Sequence, residues 1–218
     1  MFSKGHYSPA HLAFSSKIPH ISIQISTLED AKFIEDLRRG DRVAFEQLID
    51  SYQGRVFNTC LNFVYNAEDA EDLAQEVFLE VFRSILKFKG ESKLSTWIYR
   101  ISVTKSLEHI RKHKRKKREG QVFSLAALQE TGFDLKGSVL DHPGVALENK
   151  ERAKALFAAI AQLPDKQRTA FTLNKVEGRS YQEVAEIMEL SLSSIESLIF
   201  RARKALKEIL ENFYKNEM

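Results

Sequence analysis

The residues best suited to chemistry in this 218-residue chain lie near its C-terminus, and that chemistry is contact with nucleic acid rather than catalysis. From Tyr181 onward, apolar side chains recur as Val184, Met188, Leu190, Ile195 and Leu198, with the small Ala185 where two crossing helices would meet. That spacing predicts two short helices joined by a tight turn, a helix-turn-helix. The sequences Ser180-x-x-Glu183 and Ser193-x-x-Glu196 predict a capping box at the start of each helix. The second helix then carries Ser193, Ser194, Glu196, Ser197, Phe200, Arg201, Arg203 and Lys204, a set suited to phosphates, base edges and a thymine methyl. Glu189 occupies a turn position where the chain favours φ > 0 and Gly is the usual residue.

Two further clusters differ in sign. Between Glu68 and Glu80 stand six acids (Glu68, Asp69, Glu71, Asp72, Glu76, Glu80) and no base, whereas seven of the eight residues from Arg111 to Arg118 are Lys or Arg. The formal net charge of +3 hides this segregation, which points to two partners of opposite character. Like charges at Asp72/Glu76 and Glu76/Glu80 destabilise a helix by a few tenths of a kcal/mol per pair, so a neutralising partner would account for their presence.

Other chemistries find little footing. There is no Gly-rich phosphate loop, nucleophile elbow or dense cluster of metal ligands, so no catalytic residue, cofactor or metal is expected. His109 and His113 lie one helical turn apart, but without a third ligand and beside seven cations they read as DNA-facing or exposed. Cys60 is alone and points to no oxidising compartment. No apolar run approaches the roughly 20 residues of a membrane helix, and the first residues lack the build of a signal peptide, so a cytoplasmic protein without membrane insertion is expected.

The elements that position these residues are all helical. Residues 1–28 show no clear period and read as a tail. From 29 to 118 the pattern is helical: Phe33, Ile34 and Leu37 open a helix ending at Gly40, and Asp41 caps a second that runs to Tyr52. Phe57, Leu61 and Val64 form a further stripe before a turn at Asn66, and Leu73, Val77, Val81 and Ile85 line the helix that follows. The basic loop Lys87–Lys93 leads into a last helix from about Ser95. Residues 119–147, with Gly120, Gly132, Gly137, Pro143 and Gly144, read as a flexible linker. A second helical domain covers 148–218. The expected fold is all-α, two small helical domains on a tether.

These residues resemble a known family. Leu163-Pro-Asp-Lys-Gln-Arg-Thr-Ala-Phe171, the stretch Val176 to Ile187 and Phe200-Arg-Ala-Arg203 are similar to region four of extracytoplasmic-function sigma factors. Ala67 to Phe78, and then Ser95-Thr-Trp-Ile-Tyr-Arg-Ile101, resemble their region two. The resemblance implies a bacterial initiation factor whose partners are core RNA polymerase and promoter DNA. Members are often restrained by an anti-sigma factor, though no residue here identifies one. Asp72, Gln75, Glu76, Phe78 and Leu79 match the positions that dock on polymerase, with the aromatic residue as anchor and the acids as orientation. The loop Lys87–Lys93 and the helix after it match the part that opens the −10 element and receives a flipped base. Phe88 and Trp97 would stack, with Trp97 the more structural of the two, while Lys87, Lys89, Lys93, Arg100, Lys105, Arg111 and Lys112 would hold phosphates. Thr104 and Glu108 stand where the family commonly has Asn and Asp, so −10 preference does not transfer. The C-terminal helix would read the −35 element, but Glu196 and Leu198 replace the usual basic residues. A linker of this length spans about 30 Å as a random coil. With two domains of roughly 25 Å each, that suffices for elements about 70 Å apart. The competing reading, a stand-alone helix-turn-helix regulator that binds an operator as a dimer, leaves the acidic helix and the basic loop without a purpose.

Overall fold

The computed structural model describes residues 27–120 and 147–216, and residues 1–26 of the expected tail and most of the expected linker lie outside these. Among the described residues every regular element is a helix. Helix α1 (Thr27–Arg38) ends at Gly40, whose φ of +76° suits a residue without Cβ. Asp41 then caps α2 (Arg42–Val64), accepting from the Ala44 N–H at 2.8 Å. Contrary to the break expected near Tyr52, α2 runs straight through Gly54. Burial of Leu48 and Val56 on either side outweighs the roughly 1 kcal/mol that a mid-helix glycine costs. Tyr65 closes α2 in the left-handed region, and Asn66 starts α3 (Ala67–Ser84) by accepting from Asp69 N–H at 2.9 Å. One 3-10 turn, Ile85–Lys87, and the loop through Gly90 lead into α4 (Leu94–Gly120), which absorbs the basic run.

The second domain holds α5 (Leu147–Gln162), α6 (Asp165–Phe171) with its π-helical continuation Thr172–Val176, α7 (Tyr181–Met188) and α8 (Leu192–Asn216). Pro164 separates α5 from α6 because it cannot donate to the α5 ladder. Inside this domain α5 packs on α8 through Ala159, Ile160, Leu163, Ala202 and Leu206. Arg168 is buried in α6 and pairs with Asp165 at 2.9 Å. Burial disfavours its charged form and lowers its pKa, and the Asp165 carboxylate opposes this.

The two domains are not separate beads. Leu37, Leu48, Val56, Leu73, Val77 and Ile98 form a core within α1–α4. A second core crosses the boundary, joining Phe63, Tyr99 and Val103 to Leu173, Val184, Ile187, Ile195 and Ile199. Polar contacts ring it: Thr59 donates to Glu177 at 3.2 Å, Arg111 pairs with Asp165 at 2.8 Å, and Arg179 lies 4.2 Å above the Tyr99 ring while also donating to its hydroxyl. The Tyr65 and Phe157 rings meet at 5.1 Å. Glu177 has a raised pKa, first because it is buried, with Thr59 and Arg179 offsetting part of that cost.

Candidate nucleic-acid interface

The helix-turn-helix is formed by α7 and α8. Ser180 caps α7 with the full box expected: its hydroxyl accepts from Glu183 N–H and the Glu183 carboxylate accepts from Ser180 N–H at 2.9 Å. Those hydrogen bonds favour the ionised carboxylate and lower the Glu183 pKa. At α8 the expected Ser193/Glu196 box is corrected. The helix begins two residues earlier, at Leu192, and Ser191 accepts from Ser194 N–H at 3.3 Å. Glu196 is therefore released from capping and stands exposed on the outer face.

That face is sharply divided. Ile195, Ile199, Ala202 and Leu206 point inward, whereas Ser193, Glu196, Ser197, Arg201, Arg203 and Lys204 are exposed, Ser194 is half-buried and Phe200 is 70% exposed. Leu198, which the family resemblance set apart, is buried at the junction of the domains. Phe200 presents a large apolar ring on the outer face rather than packing into the core.

A second surface surrounds the loop after α3. A cleft of about 530 Å³ is lined by Lys87, Lys89, Trp97, Arg100, Thr104, Lys105 and Glu108, and also by Phe88. Lys87, Lys89, Lys93, Thr104, Glu108, Arg111 and Lys112 are exposed. Phe88 is not a free stacking surface: it is buried in the first core, its ring centroid is 5.1 Å from that of Trp97, and its carbonyl accepts from Arg38 at 2.6 Å. Trp97, half-buried against the same core, also lines the cleft. Several cations already have carboxylate partners. Lys105 faces Glu80 at 3.6 Å, and Arg100 pairs with Glu189 at 2.8 Å while donating to the Glu186 carbonyl. Glu189, in the α7–α8 turn, thus lines the cleft from the other domain, with φ +54° in the left-handed region. The sequence flagged its strain but not its partner, which is 89 residues away in the chain.

On α3, Asp72, Gln75, Glu76 and Leu79 share one exposed stripe. Phe78 does not belong to it, being half-buried against the first core. The exposed apolar positions that extend the stripe are Phe82 and Leu86, 55% and 73% exposed, with Phe82 held edge-on to Phe45 at 4.9 Å. Their spacing from Leu79, three and seven residues, is compatible with this stripe, but only the packing of α3 against the core tells Phe82 from Phe78.

A helix-turn-helix with an exposed polar face, a basic cleft and an acidic stripe on α3 together fit one class, a promoter-binding initiation factor. Comparison with known proteins agrees. Residues 48–116 match the Sigma-70 region 2 family and residues 153–206 match Sigma-70, region 4. The chain is 33% identical over 190 residues to the RNA polymerase sigma-H factor of Pseudomonas aeruginosa, covering 84% of this chain and 94% of that protein. It is 32% identical over 180 residues to the ECF RNA polymerase sigma-E factor of Escherichia coli, covering 82% and 93%. The chain belongs to the extracytoplasmic-function (ECF) sigma factors. Its fold is similar to that of CnrH, solved with the cytosolic domain of CnrY (TM-score 0.55, 20% identity, 84% of this chain and 97% of that one). It is likewise similar to a Bartonella quintana sigma factor RpoE solved with the anti-sigma factor NepR (TM-score 0.54, 21% identity, 77% and 96%). No described helix is long and apolar enough to cross a membrane.

Proposed function

We propose that this chain docks on core RNA polymerase through the outward stripe of α3, Asp72, Gln75, Glu76 and Leu79, extended by Phe82 and Leu86. It then directs the enzyme to promoters from two surfaces. The cleft beside Lys87–Lys93 and α4 would hold the opened −10 strand, with Lys87, Lys89, Lys93, Arg100, Lys105, Arg111 and Lys112 on phosphates and Trp97 at the rim. The exposed face of α8, with Glu196, Ser197, Phe200 and Arg201 at its centre, would read the −35 element. The chain would act in the cytoplasm without chemistry of its own, and family membership makes an anti-sigma factor a further partner. The observation that carries this reading is the exposed acidic-apolar stripe on a helix whose opposite face is core. A regulator that bound DNA alone would have no use for it.

The double substitution Asp72→Arg and Glu76→Arg tests it. Both side chains are exposed, so helicity by circular dichroism should be unchanged. Co-elution with core polymerase and promoter-dependent run-off transcription should both be lost. Unchanged polymerase affinity would overturn the docking assignment, and tight binding of a palindromic operator by a dimer without polymerase would overturn the sigma reading.

A further inference from the structure

The third ligand that His109 and His113 lack in the sequence is supplied by the fold. Asp69, in the first turn of α3, faces α4 because the two helices pack side by side, and its carboxylate lies 3.5 Å from His109 Nε2. The His109 and His113 rings stack with centroids 4.2 Å apart and planes 29° apart, as residues i and i+4 on one helix face can. One ligand atom from each of the three residues lies within 4.8 Å of the others. Ligands at about 2.0–2.2 Å from a tetrahedral ion stand roughly 3.4 Å from one another. Rotation of the exposed His113 side chain and a small adjustment of Asp69 would close that difference.

We infer that Asp69, His109 and His113 form a binding site for a borderline transition-metal ion such as Zn²⁺, with solvent in the fourth position. Two imidazoles and a single carboxylate suit such an ion and are a poor set for Mg²⁺ or Ca²⁺, which require more oxygen donors. The positive arm from Arg111 opposes a second positive charge, and the Asp69 carboxylate compensates one unit of it. Coordination would tie the first turn of α3 to the base of the basic arm, fixing the direction in which that arm leaves the domain.

The full chain titrated with Co²⁺ tests this directly. One equivalent should give the visible absorption of a low-coordinate site, displaced by Zn²⁺ and not by Mg²⁺, and Zn²⁺ should raise the melting temperature. His113→Ala, at an exposed position that leaves the fold intact, should weaken binding at least tenfold, and Asp69→Asn should do the same. His6, His11, His20 and His142 are the chain's other imidazoles. A variant with all four replaced by Gln should still bind one equivalent. Loss of binding in that variant, or unchanged binding in His113→Ala and Asp69→Asn, would overturn the site.

Discussion

Arg201 shows how one residue can be tied to either of two jobs by a single measurement. It is exposed on the outer face of α8, and its Nε donates to the Ser197 carbonyl at 3.2 Å, which aims the guanidinium along the helix surface. Arg201→Ala should weaken binding of −35-containing DNA by about 1–3 kcal/mol if the side chain reads a base. Electrophoretic mobility shifts on matched and scrambled duplexes check this. An equal loss on both would assign Arg201 to phosphate. Leu198 carries the opposite lesson: burial between the domains keeps it off the outer face, which leaves Glu196 and Phe200 exposed there beside Arg201. Cys60 adds nothing reactive, because burial in the first core pushes its thiol pKa up to about 12.

At the scale of the element, caps decide where the recognition helix begins. The sequence offered Ser193 with Glu196, whereas the fold uses Ser191, because starting α8 at Leu192 turns Ile195 and Ile199 onto the core. Ser191→Ala should therefore cost about 1 kcal/mol of stability, in line with other lost caps, and Ser193→Ala should cost much less. Urea unfolding of the two variants separates them, and equal losses would restore the cap to Ser193. The same logic applies to α3. Its inward stripe of Leu73, Val77 and Val81 dictates that Asp72, Gln75, Leu79 and Phe82 face outward, so the surface proposed for docking is a by-product of core register.

For the whole molecule, the question is how the two surfaces proposed to contact DNA, held against each other, would serve elements about 70 Å apart. The domains share a core, and Glu189 sits on Arg100 as a phosphate would. The phosphate role proposed for Arg100 would require this contact to open. Glu189→Gly should remove the ion pair and relieve a left-handed residue at once, a conformation that costs roughly 1–2 kcal/mol for a side-chain-bearing residue. The turn itself should gain stability while the domain contact weakens. Small-angle scattering should show a larger radius of gyration, and single-stranded −10 DNA should bind severalfold more tightly at low salt. An unchanged radius with unchanged affinity would mean that Arg100 is not restrained by Glu189.

Much of this protein was legible in its sequence. Periodicity and punctuation fixed the helices around Asp41, Asn66, Pro164 and Ser180, and the division between acidic α3 and basic α4 named the kinds of partner, because both signals are local along the chain. Tertiary structure alone decided which of Phe78 and Phe82 faces outward, that Phe88 belongs to the core, and that Glu189 meets Arg100 and Asp69 meets His109. Those outcomes depend on helix packing between residues 40 to 89 positions apart in three of the cases, and on register against a shared core in the fourth. A helical period reports that a face is apolar, but not which neighbour will cover it.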